Sequence, residues 1–310
     1  MVYLNSKIKI ILKFISVIIL CSFFILYNYY PDKIPTKFDL TLKLAQIGNT
    51  KAQFTVGTIY HSKKDYKKAL MWYTKAAEQG HPGAQNNLGV LYENGAGASK
   101  DYKEAFRWYQ KAAEQGESSA YNNIGRMYSD GILFCQNYGE AVKWFKKAAE
   151  QGIVDAQNNL GLLYRDTLNN KAEAAKWFQE AADKGYQDAI NNLGLAYEIG
   201  SGVPQNYSKA FKLYQKAAHQ GYSYAQYNMG RMYITKIINY KEAAKWFEKA
   251  ANQGYAEAQY SLGILYDENI IGNDHDFTKD KAKAIEWYRK AAKNGNSCAQ
   301  KRLDALEKKR

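Results

Sequence analysis

The stretch Ala84-Gln85-Asn86-Asn87-Leu88-Gly89-Val90-Leu91-Tyr92, followed after a loop by Tyr102-Lys103-Glu104-Ala105-Phe106-Arg107-Trp108-Tyr109-Gln110-Lys111-Ala112-Ala113-Glu114-Gln115-Gly116, decides how this chain folds. In its first part Ala84, Leu88, Leu91 and Tyr92 stand at i, i+4, i+7 and i+8, one apolar stripe on a helix. The second part puts Tyr102, Ala105, Phe106, Tyr109, Ala112 and Ala113 at the same kind of spacing. Asp101 precedes it as an N-cap, where a carboxylate accepts from the unpaired amides of the first turn. Gly116 closes it, as expected where a helix ends in a left-handed residue. The stretch reads as a pair of helices, A and B.

The pair recurs about seven times. Its closing glycines are Gly80, Gly116, Gly152, Gly185, Gly221, Gly254 and Gly295, with steps of 36, 36, 33, 36, 33 and 41 residues. The blocks beginning near Thr50, Ile153 and Tyr222 have shorter loops between A and B. A chain of 310 residues suggests two globular domains on length alone. A repeat array replaces that expectation, because no single pair buries its stripe alone and stability comes from neighbouring interfaces. Gly89 stands mid-helix, where glycine costs about 1 kcal/mol against alanine. It recurs as Gly57, Gly125, Gly161, Gly194, Gly230 and Gly263. A repeated cost implies a repeated benefit: close approach of A to B, with Trp108 or Tyr109 filling the space beside it.

The ends read as caps. Phe38, Leu40, Leu42, Leu44, Ala45 and Ile47 predict a helix ending at Gly48, and Ala299, Leu303 and Leu306 predict another after Gly295. Lys308, Lys309 and Arg310 would place positive charge at the latter's C-terminal end. The expected organisation is 1–30 signal anchor or signal peptide, 31–48 linker and capping helix, 49–295 repeats, and 296–310 capping helix.

Lys7, Lys9 and Lys13 precede an apolar run over 14–27, extended by Tyr29 and Tyr30. This is the pattern of an export signal or anchor. No small-residue cleavage site follows, so the expectation is a single-pass N-terminal hydrophobic helix in a membrane, with the repeats facing outward. Lys33 and Lys37 oppose that orientation. A cleaved signal and an exported or secreted product is the alternative.

Lys and Arg number 43 against 30 Asp and Glu, a net charge of +13. That surplus is compatible with an acidic partner, an anionic membrane or nucleic acid and chooses among none of them. The aromatic residues sit at core positions instead of being interleaved on a basic face, so no nucleic acid is expected. Cys21, Cys135 and Cys298 form no disulfide or zinc spacing. His61, His81, His219 and His275 lack a second ligand one helical turn away, although Asp274 and Asp276 flank His275. The Gly95-Ala96-Gly97 loop has no following Lys-Ser/Thr and reads as a turn. No catalytic residue, metal site or cofactor is expected, and the protein reads as a non-enzyme.

The chain resembles the Sel1-like repeat family of the tetratricopeptide-like superfamily. The resemblance rests on Leu88, Gly89 and Tyr92 in helix A, and on Ala69, Trp72, Tyr73, Lys75, Ala76, Ala77 and Gly80 in helix B. The loops Gly95-Ala96-Gly97 and Gly200-Ser201-Gly202-Val203-Pro204 add to it. The resemblance implies an all-α, right-handed superhelical solenoid of antiparallel helix pairs. It also implies a protein- or peptide-binding adaptor whose A helices line a concave face, here tethered to a membrane. A secreted host-interaction or effector protein is the second reading. A cell-wall or β-lactam-acting hydrolase is a remote third, since this chain lacks the paired cysteines of the relatives linked to that activity.

On that analogy, candidate peptide-binding residues are Asn86, Asn87, Asn122, Asn123, Asn158, Asn159, Asn191, Asn192 and Asn228, a row of amides able both to donate and to accept. The opposing reading makes the same amides part of the repeat's own hydrogen bonding. Arg126 and Arg231 interrupt a position held by Val90, Leu162, Leu195 and Ile264, and are candidates for holding an acidic or C-terminal peptide. Tyr224, Tyr227 and Tyr260 add aromatic area.

Overall fold

The computed structural model describes residues 36–267 and 277–307. The expected N-terminal hydrophobic helix, Cys21, His275 and the basic residues 308–310 lie outside the described residues. The chain divides into two compact units, Met1–Ala120 and Tyr121–Arg310. Among the described residues there are sixteen α-helices, one π-helical turn and no strand.

In the first unit, α1 (Lys37–Gln46) precedes two pairs: α2 (Thr50–Ser62) with α3 (Tyr66–Glu78), and α4 (Pro82–Asn94) with α5 (Tyr102–Glu114). Helix α6 (Ser118–Asp130) contains the division between the units. Its partner α7 (Tyr138–Glu150) begins the second unit's run of B helices. There follow α8 (Val154–Asp166) with α9 (Lys171–Asp183), and α10 (Gln187–Ile199) with α11 (Tyr207–His219). Then come α12 (Ser223–Met232) with α13 (Tyr240–Asn252), α14 (Ala256–Tyr266) with α15 (Lys281–Lys293), and α16 (Ser297–Glu307). The A helices are α2, α4, α6, α8, α10, α12 and α14, and the B helices are the odd-numbered elements α3 to α15.

Local chemistry sets these boundaries. Asp65, Asp101, Asn137, Asn170, Asn206, Asn239 and Asp280 cap the seven B helices through their side-chain oxygens. Gly116 ends α5 at φ +83°, with no atom near the place a Cβ would take, so backbone conformation and not space selects glycine there. The A-to-B loops come in two chemistries. After α4, α6 and α10 a left-handed glycine (Gly95, Gly131, Gly200) ends helix A. The shorter loops instead put a non-glycine residue in that conformation directly before the B-helix cap: Lys64, Asn169 and Ile238.

Packing repeats with the same period. A Cβ on Gly89 would lie 2.6 Å from a ring carbon of Tyr109, and one on Gly161 would lie 2.6 Å from Phe178. The aromatic residue beside the glycine is therefore Tyr109, while Trp108 lies on the other side of the helix B stripe, covered by Lys111 at 4.3 Å. Small alanines bring successive pairs together, as Ala181, Ala182, Ala217 and Ala218 do around Phe178 and Tyr214. At the start, α1 lays Phe38, Leu42 and Ala45 on Val56 and Trp72. At the other end, Leu303 and Leu306 of α16 cover Tyr288.

Candidate functional site

Each A helix packs on its B partner, and the remaining side was expected to be free for a ligand. The sequence placed a row of asparagines there, and the structure joins them to one another across repeats. Asn159 Nδ2 donates to Asn122 Oδ1 at 3.2 Å, Asn192 Nδ2 to Asn158 Oδ1 at 2.9 Å, and Asn228 Nδ2 to Asn191 Oδ1 at 2.8 Å. In these three links the first asparagine of one motif accepts from the second asparagine position of the next. Asn86, Asn158 and Asn191 are buried. Asn86 Nδ2 reaches Asn87 Oδ1 at 3.4 Å, and Asn123 is half-buried and engaged.

The arginines are also engaged. Arg231 donates to Asn228 Oδ1 at 3.0 Å and to Glu198 at 3.2 Å. Arg126 has an interaction of its own. Arg165, not among the sequence candidates, spans Asp166 through two nitrogens at 2.6 and 2.9 Å and touches Asn192 at 3.4 Å. It stands four residues past Gly161, where Glu93, Glu198 and Asp267 stand in other blocks. That break in pattern was its visible signal.

Between α6 and α8 the A face opens into a cleft of about 340 Å³. Arg126, Asp130, Asn159 and Asp166 line it, with Leu162 and Thr167 beside them. The cleft brings together two of the sequence candidates, Arg126 and Asn159. Arg231 and the three candidate tyrosines do not line it.

Those tyrosines lie toward the later repeats. Tyr224 is 50% exposed and packs 4.9 Å from Tyr255, which in turn meets Tyr227 at 5.2 Å. Tyr260 is half-buried, 5.8 Å from Tyr288. Along the same end of the A helices, Tyr186 donates to Asp155 at 2.6 Å and Tyr222 donates to Asp188. Burial first, and then these carboxylates, push both phenols above their ordinary range. Burial and Glu257 push Tyr255 to about 12.

A second polar chain was not read from the sequence. Gln53, Gln85, Gln157, Gln226 and Gln259 each donate to a carbonyl in the last turn of the preceding helix, at 3.0 to 3.2 Å. Gln79, Gln115, Gln253 and Asn294, next to the closing glycines, donate back to four of these glutamines. Where Ile190 replaces the glutamine, Lys216 reaches Ala182 O at 3.4 Å instead.

The remaining candidates for chemistry have local roles. His81 Nδ1 accepts from Ala84 N at 3.2 Å as the cap of α4, and its ring stacks on Phe54 at 4.3 Å. Burial foremost lowers its pKa. Cys135 and Cys298 are exposed thiols. Among the described residues no group of three His, Cys, Asp or Glu is placed to hold a metal ion. No helix among them is long and apolar enough to cross a membrane.

The Sel1 repeat family model matches the chain at 51–81, 82–117, 118–153, 154–186, 187–222, 223–255 and 256–296. Among solved structures, c5321, a protective antigen present in uropathogenic Escherichia coli strains displaying an SLR fold, is 34% identical with a TM-score of 0.68, over 86% of this chain and 59% of its own. A Sel1 repeat protein from Oxalobacter formigenes is 32% identical with a TM-score of 0.68, over 77% of this chain and 96% of its own. The ERAD-associated E3 ubiquitin-protein ligase component HRD3A of Arabidopsis thaliana is 38% identical over 58 residues, 17% of this chain and 9% of that protein. The chain thus spans under two thirds of both c5321 and HRD3A.

Proposed function

Because the chain belongs to the Sel1 repeat family, whose arrays generally serve protein–protein interaction as non-enzymatic scaffolds, we propose that it is an adaptor holding a polypeptide against its A helices. The cleft between α6 and α8 carries this reading, since there the A helices form an opening lined by both charged and amide groups. A cleft of about 340 Å³ takes one or two side chains of a ligand, and the neighbouring amides offer donors and acceptors to its backbone. The basic start and apolar run over 14–30 support a tether in a membrane, with the array outside.

A photo-crosslinking side chain at Thr167, on the cleft, tests the binding face in cells. A discrete protein adduct is expected there and not at Gln179, an exposed position of α9. Equal adducts at both positions, or none at either, would sink the reading. The tether is tested by the N-terminus recovered from cell fractions. An intact start in membranes alone supports it, and a start after Tyr30 in the soluble fraction overturns it. The latter outcome favours the second reading, a released host-interaction protein, which the likeness to a protective antigen supports.

A further inference from the structure

The charge of the array is not spread evenly. The seven B helices carry 22 Lys and Arg against 11 Asp and Glu, a net of +11. The seven A helices carry 4 against 7, a net of −3. On the A helices, Arg165 and Arg231 are in ion pairs and Arg126 is engaged. An acidic ligand therefore finds little free cation on the A face and a surplus on the exposed side of the B helices.

That surplus has a built geometry. Lys75, Lys111, Lys147 and Lys249 each follow a tryptophan by three residues and lie over its indole, at 4.7, 4.3, 4.6 and 3.9 Å from the ring. Among the described residues none of the four has a carboxylate partner, whereas Lys143 and Lys245, on the same helices, are bound to Glu140 at 2.6 Å and Glu242 at 2.5 Å. The indole face holds an ammonium by its quadrupole and restricts its rotamers before any ligand arrives. In the second unit, α7 and α13 each open a cleft around this pair, of about 410 and 320 Å³. The two clefts share their repeat positions: Glu140, Lys143, Trp144 and Lys147 in one, Glu242, Lys245, Trp246 and Lys249 in the other.

We propose that the exposed side of the second unit's B helices is a second interaction surface, at which ammonium groups held over tryptophan take the carboxylate side chains of an acidic polypeptide. This rests on reading the chain as a binding array, and it assigns the acidic ligand to the face opposite the cleft of the A helices. A polypeptide fits better than a phosphate polymer or a lipid surface. The clefts admit single side chains, and Glu140, Glu150, Glu242 and Glu248 stand among the lysines, repelling a continuous sheet of negative charge.

The test is fluorescence anisotropy of labelled polyglutamate with the purified full chain at low ionic strength. The Lys147→Gln, Lys249→Gln double variant is expected to bind at least about tenfold more weakly. The Lys143→Gln, Lys245→Gln variant removes the same charge from groups already paired, and is expected to lose less than about threefold. All four lysines are exposed, so a matching thermal melt checks the fold of each variant. Equal losses in the two variants, or loss in neither, overturn the proposal. Tighter binding of phosphatidylglycerol vesicles or single-stranded DNA at equal negative charge also overturns it. Lys variants that lose polyglutamate but keep the Thr167 adduct support it and leave the A-face reading intact. Polyglutamate binding without any Thr167 adduct supports it and removes the A-face reading alone.

Discussion

Whether a repeat sets tyrosine or phenylalanine against its helix A glycine follows the residue four places past that glycine. Tyr109 donates to Glu93 at 2.7 Å, Tyr214 to Glu198 at 2.7 Å, and Tyr288 to Asp267 at 3.1 Å. Where that place holds Ser129, Arg165 or Ile234, the ring is Phe145, Phe178 or Phe247. A buried hydroxyl needs an acceptor, so phenol and acid come and go together. Tyr73, facing His61 at that place, uses Thr58 at 3.3 Å. Tyr214→Phe leaves buried Glu198 short of a donor and is expected to cost about 1–3 kcal/mol, read by chemical denaturation. Burial, and next the Glu198 carboxylate, raise the Tyr214 phenol above its ordinary value of 10.0. The folded state then holds a proton that the unfolded state releases, so this stability is complete below pH 10 and declines as the pH climbs beyond it. Melts taken from neutrality past that point should show the Tyr214→Phe penalty shrinking as the wild type declines; a constant penalty would rule the linkage out. The co-occurrence is written in the sequence, but only the fold shows which acid meets which ring.

Among the helices, apolar periodicity, Asp and Asn caps and closing glycines made the A and B segments legible in the sequence. The sequence left Trp108 and Tyr109 as equal choices for the space beside Gly89, because both belong to the helix B stripe. The distance from that glycine decides for Tyr109. Gly161→Ala gains about 1 kcal/mol of helix propensity but sets a Cβ 2.6 Å from Phe178, and overpacking of that kind costs about 1–3 kcal/mol. A net loss of stability is expected on thermal melting, partly recovered by adding Phe178→Leu. A higher melting temperature for Gly161→Ala alone would refute the close-approach account. The glutamine chain was not legible, because its members sit among apolar stripe residues and their partners are backbone carbonyls, which no side-chain pattern reveals. The asparagine row was legible as a row, while its pairing across repeats depends on which turns of neighbouring A helices come level.

Over the whole molecule, seven repeats and two capping helices were legible because every block repeats the same grammar. The candidate site was less so: Arg165 and Asp130 of the cleft region are departures from that grammar, whereas the lysines over tryptophan belong to it, and only the structure shows which of them lack a carboxylate partner. Links between neighbours carry the stability of such arrays, so losing one at an end unzips little else. Asp267 is 3% exposed and accepts from Arg302 at 2.9 Å, tying α16 to the end of α14. Arg302→Ala takes the guanidinium away from that buried carboxylate, and is expected to cost about 3 kcal/mol, appearing as early loss of α16 in hydrogen exchange while α8 and α9 stay protected. Uniform loss of protection would contradict neighbour-by-neighbour stability. The short loop before α13 carries strained backbone. Ile238, β-branched and 72% exposed, takes φ +58°, where Gly95, Gly131 and Gly200 serve in other loops. It follows a π-helical turn, Tyr233–Ile237, in place of the last turn of an ordinary helix. Side-chain crowding against the backbone thus loads this joint like a bent spring, and Ile238→Gly, which relieves it, should raise the melting temperature. In the natural chain this joint is expected to be cut by a protease more readily than the glycine-ended loops after α4 and α10, and Ile238→Gly is expected to slow that cut.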